Sequence, residues 1–294
     1  MHMNRIAGLL LAATALTTQL AAASISGAAS GHEGATASAP AAPAVAARPA
    51  PQDQGNEFRW AGRLASGRVI EVKGVNGRVN AEGTAAGGEV EVVATKRARR
   101  SDTSSVRIEV VEHADGVTVC AVYPSRDEDK PNRCAPGGGG NMNVRDNDVQ
   151  VDFTVRVPAG VRFHGRTVNG GVEADNIAAD VEAYTVNGGI RVSTAGLARA
   201  MTVNGSIRAT MGRADWQGEL QFATVNGGID LIFPPTLSAE VEAETLNGHI
   251  ESDFPVTAQG RFSRRRRLEG VINGGGRELR LKTVNGNVEI RRAS

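Results

Sequence analysis

The sequence predicts an all-β fold, a parallel β-solenoid, and three observations lead there. A six-residue motif, Thr-Val-Asn-Gly-x-Ile, recurs with small variations from Thr167, Thr185, Thr202, Thr224, Thr245 and Thr283. The residues on either side of it alternate between apolar and polar. The chain of 294 residues holds 36 Gly and only 4% aromatic residues. That composition suits repeated tight corners around thin aliphatic cores better than one large globular core.

Each repeat reads as strand, corner, strand. Four residues before the Thr stand Phe163, Val181, Ala198, Leu220, Val241 and Leu279, and two before it stand Gly165, Ala183, Ala200, Phe222, Ala243 and Leu281. Between them lie His164, Glu182, Arg199, Gln221, Glu242 and Arg280, all polar. A period of two marks a half-buried strand. After the corner, the inward column Val172, Ile190, Ile207, Ile229, Ile250 and Val288 is followed by the outward column Glu173, Arg191, Arg208, Asp230, Glu251 and Glu289. From Asn169 onward the motif asparagines are 18, 17, 22, 21 and 38 positions apart, the last about two repeats, so one rung takes about 19 residues. A degenerate copy sits at Gly74-Val75-Asn76-Gly77-Arg78-Val79.

The corner itself admits two architectures. Asn-Gly between alternating strands also signals a two-residue hairpin, and an array of hairpins is the second fold open to this chain. A hairpin would point Val186 outward. Its column, Val168, Val186, Val203, Val225, Leu246 and Val284, is apolar throughout, which favours a solenoid corner with both flanking aliphatics turned inward. Asn would take the left-handed conformation it tolerates there, and Gly would complete the turn. Rungs would stack about 4.8 Å apart. The column Asn169, Asn187, Asn204, Asn226, Asn247 and Asn285 is then expected to be a structural ladder of amides bonded between rungs, rather than a binding stripe.

Ahead of the repeats, Arg5, the apolar run Ile6 to Leu11 and Ala-rich sequence up to Ala21-Ala22-Ala23 read as a signal peptide over residues 1–23, with an uncleaved anchor as the alternative. Residues 24–56 contain eleven Ala, four Pro and three charged residues, too little apolar bulk to offset the entropy of ordering, and read as a disordered linker. The repeat domain is expected over residues 57–294. No other stretch approaches about 18 apolar residues, so no membrane span is expected once the signal is removed. An exported protein, periplasmic or extracellular, meets an oxidising compartment, and Cys120 and Cys134 are expected to pair. The 33 basic residues are balanced by 32 acidic ones, so no long-range field draws a nucleic acid.

The Thr-Val-Asn-Gly-x-Ile repeats, preceded by Val157-Pro158-Ala159-Gly160-Val161 and by the Val75-Asn76-Gly77 copy, resemble the putative-adhesin, β-strand-repeat family of bacterial envelope proteins, over roughly Val69 to Ile290. The resemblance implies a right-handed, β-helix-like fold and an envelope or surface location, for a domain of unknown function. The chain departs from a plain repeat at Cys120 to Gly140 and at Arg264 to Arg267.

Little in the sequence points to catalysis. His113, His164 and His249 have no metal-ligand spacing, and there is no nucleophile elbow, no His-Glu-x-x-His and no phosphate-cradling loop. The best enzyme candidate is Asp230 with Glu251, carboxylates expected about 5 Å apart on neighbouring rungs beside His249, a separation that retaining glycosidases use. Glu173 beside Arg191 and Arg208 beside Asp230 would be ordinary lateral ion pairs. The acidic runs Asp127-Glu128-Asp129 and Asp146-Asn147-Asp148, flanking Gly137 to Gly140, could hold a calcium ion, although they match no calcium-loop spacing. Arg264, Arg265, Arg266 and Arg267 could meet anionic envelope polymers or form a solvated loop. The expected function is a non-catalytic envelope or surface module that binds or scaffolds a polymer or protein, without cofactor or metal. A polysaccharide lyase or glycosidase is the alternative, and a homotypic structural element the third reading.

Overall fold

One repeat alone presents an apolar face too narrow to leave water, so copies must stack to bury it. The computed structural model describes residues 52–127, 129–144, 146–258 and 266–294. The expected signal peptide and most of the expected linker lie outside the described residues. Strands that follow the corners form one eleven-stranded sheet, and strands that precede them form a second.

The first sheet runs parallel through Gln150–Pro158, Val79–Thr84, Val172–Ile177, Ile190–Thr194, Ile207–Met211, Ile229–Phe233, Val288–Arg292 and Ile250–Ser252. Antiparallel strands Val90–Arg97, Glu57–Gly62 and Gln52–Gln54 extend its early end. The second sheet runs parallel from Gly116–Val122 through Val69–Lys73, Arg162–Arg166, Val181–Tyr184, Ala198–Met201, Glu219–Ala223 and Glu278–Lys282 to Ala239–Glu244. Here Arg107–His113 closes one end, and Arg267–Ile272 with Val256–Ala258 closes the other, all antiparallel. Antiparallel additions of this kind blunt an edge that would otherwise recruit further strands. Among the described residues no α-helix occurs, and no helix is long and apolar enough to cross a membrane.

The two sheets enclose a solid aliphatic interior. Val172, Ile207, Ile229 and Val288 from one sheet and Phe163, Val181, Leu220 and Leu279 from the other are all buried. Register keeps like over like, with Ile190 beside Ile207 and Ile207 beside Ile229. Each such side chain contributes about 1.5–3 kcal/mol by leaving water, so the columns carry the stack.

Four expectations change. The apolar column of the corner does not turn inward: Val186 is 38% and Leu246 60% exposed, whereas the motif threonines are buried. Thr prevails because its hydroxyl has a partner inside. Thr185 Oγ1 donates to the Gly170 carbonyl of the preceding rung at 2.8 Å, and Thr202, Thr224, Thr245 and Thr283 repeat the bond at 2.8–2.9 Å. Nor is any corner Asn left-handed; among described non-glycine residues only Asp146, Asn176 and Asn273 have positive φ. The corner glycines are needed for close approach instead, since a Cβ on Gly205 would lie 2.0 Å from the Gly188 carbonyl oxygen.

The third change concerns order. Asn ladder contacts run Asn76, Asn169, Asn187, Asn204, Asn226, Asn285, Asn247, so the last copy in the sequence slots between the two before it. The 38-residue interval is not two rungs but one rung plus the Val256–Ala258 and Arg267–Ile272 hairpin, after which the chain returns to fill a vacant place. Finally, Gln52–Gln54 is a strand paired with Glu57–Arg59, so the fold begins inside the segment read as linker. An edge strand needs only backbone bonds, which composition does not reveal.

Candidate functional site

Outside the filled interior, two features are built for contact. One is a trough on the outer face of the first sheet. The residue just before each inward aliphatic is small in the middle rungs (Gly171, Gly189, Ser206 and Gly228), and the row runs between Arg78 and Asn287. Beside this floor rises the charged column Glu173, Arg191, Arg208, Asp230 and Glu289. Six rungs at strand spacing make the trough roughly 24 Å long.

The charges along it are unequally satisfied. Arg208 Nε donates to Asp230 Oδ2 at 2.9 Å, and Arg291 Nε stands 3.2 Å from Asp230 Oδ1, which has no aligned hydrogen bond. Arg78 and Arg191 have no ion pair among the described residues. Glu173 is the register neighbour of Arg191, yet the two side chains do not meet. The expected carboxylate pair does not form: Glu289 lies between Asp230 and Glu251, which puts them two rungs, about 10 Å, apart. Glu251 is exposed, and its ion-pair partner among the described residues is His249, at 3.4 Å. A nucleophile and an acid cannot work together across that gap.

The second feature is the insertion between Gly116–Val122 and Gln150–Pro158, which folds back over the outer face of the second sheet. Cys120 and Cys134 are joined, with Cα atoms 5.6 Å apart. Glu71 should face solvent by its position in Val69–Lys73, but the insertion covers it and leaves it 2% exposed. Its carboxylate accepts from Arg166 Nε at 2.9 Å, Thr118 Oγ1 at 3.0 Å and the Gly137 amide at 2.8 Å. Lys73 Nζ donates to the carbonyls of Ala135, Gly137 and Gly139 at 2.8–2.9 Å. Burial lowers the pKa of Lys73 against the opposing pull of Glu71. Asn132 bridges the loop to itself, donating to Tyr123 and Asn143 carbonyls and accepting from the Asn143 amide at 2.6 Å. A cleft of about 560 Å³ remains between this insertion and the first corners, lined by Lys73, Arg133, Arg166, Asn76 and Asn169.

The remaining candidates are engaged elsewhere. Asp148 accepts from the Arg99, Arg100 and Ser101 amides, and its bonds with Ser101 and these amides hold its carboxyl down at about 2. Among the described residues no three His, Cys, Asp or Glu side chains gather as metal ligands. His113 Nε2 lies 3.1 Å from Thr118 Oγ1, and burial lowers the pKa of His164 although Glu182 is close. Arg264 and Arg265 lie outside the described residues. Arg266 is exposed, while Arg267 opens a strand and donates to Glu269 at 2.7 Å, so the tract does not end as a free loop. Asn side chains do form a continuous ladder, each Nδ2 donating to the neighbouring Oδ1 at 2.7–2.8 Å.

Residues 100–291 match the family described as Toastrack DUF4097. The chain belongs to the Toastrack family. The match excludes the Asn76 rung, which the structure nevertheless stacks on Asn169. No curated protein matches. Among solved structures, this Toastrack chain is similar to a candidate cell adhesion protein from Clostridium sporogenes, with 9% identity over 83% of this chain and 100% of that one, at a TM-score of 0.39. A candidate adhesin from Parabacteroides distasonis shares 14% identity over 80% of this chain and 97% of its own, at a TM-score of 0.30.

Two outcomes are expected for the Toastrack stack. Asn204→Val removes two amide bonds at an exposed position whose backbone a β-branched residue accepts, so it should cost only about 1 kcal/mol in urea unfolding. A loss several times larger would mean that the ladder, not the core, holds the rungs. Replacing both Cys120 and Cys134 with Ser should cost about 3 kcal/mol and speed amide exchange across residues 123–149. Unchanged exchange would show that the polar contacts of Glu71 and Lys73 suffice.

Proposed function

We propose that this is an exported, non-catalytic binding or scaffolding module of the bacterial envelope, whose contact surface is the trough across the first sheet. The observation that carries this reading is the pair Arg78 and Arg191, cations without an ion-pair partner among the described residues, at a groove six rungs long whose middle floor is Gly171, Gly189, Ser206 and Gly228. An extended anionic polymer fits such a surface: its backbone lies on the small-residue floor while its acid groups meet guanidinium forks. The interior is filled by aliphatic side chains, and the expected pair Asp230 and Glu251 stands two rungs apart. The winding is proposed as right-handed, as parallel crossovers almost always are. Residues 1–23 would direct export and 24–51 would hold the domain away from the membrane. The Arg264 to Arg267 tract is proposed as a second contact for the same class of polymer, because Arg266 is exposed.

Pull-down of the full chain against envelope fractions, with parallel incubation on a panel of acidic polysaccharides scored for new chain ends, tests the reading. Retention of acidic polymer without new ends supports it. New ends, or no retention from any fraction, would overturn it.

A further inference from the structure

The chain contains eight Asn-Gly pairs, at Asn76, Asn169, Asn187, Asn204, Asn226, Asn247, Asn273 and Asn285. In such a pair the glycine nitrogen can attack the Asn side-chain carbonyl carbon, because no Cβ hinders its approach. The nitrogen must first give up any hydrogen bond it makes. In six pairs it makes one, always to the Asn carbonyl of the next rung. The bonds are Gly77 to Asn169, Gly170 to Asn187, Gly188 to Asn204, Gly205 to Asn226, Gly227 to Asn285 and Gly286 to Asn247, at 2.9–3.0 Å. The amides of Gly248 and Gly274 have no partner among the described residues. Asn247 also closes the ladder. Its Nδ2 donates to Asn285, but among the described residues nothing donates to its Oδ1, so only one side of the amide is held there. Asn273, in the turn after Arg267–Ile272, is exposed and outside the ladder; its Nδ2 donates to the Leu237 carbonyl at 2.8 Å, and among the described residues nothing donates to its Oδ1, so it too is held on one side.

We propose that Asn247 and Asn273 are sites of spontaneous deamidation, and that the rung-to-rung amide bonds shield the other six. The Gly248 nitrogen bonds to Asn247 Cγ, the Cγ–Nδ2 bond breaks, and ammonia leaves with the proton that the glycine nitrogen gave up. Water then opens the imide at either carbonyl, giving aspartate or isoaspartate. Isoaspartate at 247 adds a methylene to the backbone and displaces the carbonyl that accepts from the Gly286 amide. Asn285-Gly286 then becomes the open end, so conversion moves inward from the last rung in the order of the stack, not of the sequence.

The full chain, folded and held at mildly alkaline pH in water enriched with heavy oxygen, is sampled over time and mapped by peptide mass spectrometry. Label should enter at Asn247 and Asn273 roughly tenfold faster than at the inner six, whose glycine amides must open first. Asn285 should follow Asn247 and precede Asn226. In denaturant all eight should convert at similar rates. Inner pairs converting as fast as Asn247 in the folded chain would overturn the proposal. So would an unlabelled Asn247 and Asn273 under conditions where the denatured chain is labelled throughout.

Discussion

Gly205→Ala should destabilise the stack by about 3 kcal/mol, more than any change to the exposed side chains of the corner. The added Cβ would sit 2.0 Å from the Gly188 oxygen and 2.4 Å from its carbon. Both belong to backbone, and the Gly188 amide is bonded to the Asn204 carbonyl at 2.9 Å, so neither can move without parting the rungs. Urea unfolding of Gly205→Ala beside Asn204→Val checks the claim. Equal costs for the two would show that close approach of glycines is not what the corner selects.

Glu71→Ala should cost about 3 kcal/mol or more, by stranding its partners rather than by losing packing. Arg166 and Thr118 would lose an acceptor, and Gly137, which anchors the insertion, would lose the partner of its amide. Thermal unfolding gives the loss of stability, and amide exchange at Gly137 shows whether the insertion lifts. Glu71→Gln should recover part of the stability, because the amide oxygen still accepts. If the alanine and glutamine variants both match the parent, the insertion is held by the disulfide alone.

Much of the strand pattern was legible because side-chain alternation is a local signal. Columns such as Val172 with Ile190, and Phe163 with Val181, are visible as soon as the motif is aligned, and the structure places them inside. One column of the corner departs from what its composition suggests. Six aliphatics at the Val186 position look like core, but half-exposed aliphatics stacked on one another already shed part of their surface to their neighbours. The parallel stack stands, although the Val186 column faces outward rather than in. Rung order was invisible for another reason. Every copy carries the same register chemistry, so nothing local distinguishes a neighbour in sequence from a neighbour in space, and the Thr283 rung could enter beside any compatible edge.

The two contact features differ in the same way. Arg191 could be seen as an outward charge, but its lack of an ion pair among the described residues depends on where the Glu173 side chain goes. Glu71 carried no signal within its own strand. It occupies an outward position in an alternating strand, and only the return of the Cys120 to Cys134 insertion buries it. A polar residue between Ile70 and Val72, followed by a stapled, glycine-rich insertion, is the one pattern that could have prompted the question.

Whether the trough holds an acidic polymer is decided by one titration. The full chain and its Arg78→Ser/Arg191→Ser variant are titrated with an acidic polysaccharide across a range of salt, while polymer ends are counted. Binding in the trough should weaken with salt, fall about tenfold or more in the variant as two charge-assisted contacts are lost, and generate no new ends. Equal binding by the two proteins, or chain cleavage that depends on Asp230 or Glu251, would contradict it.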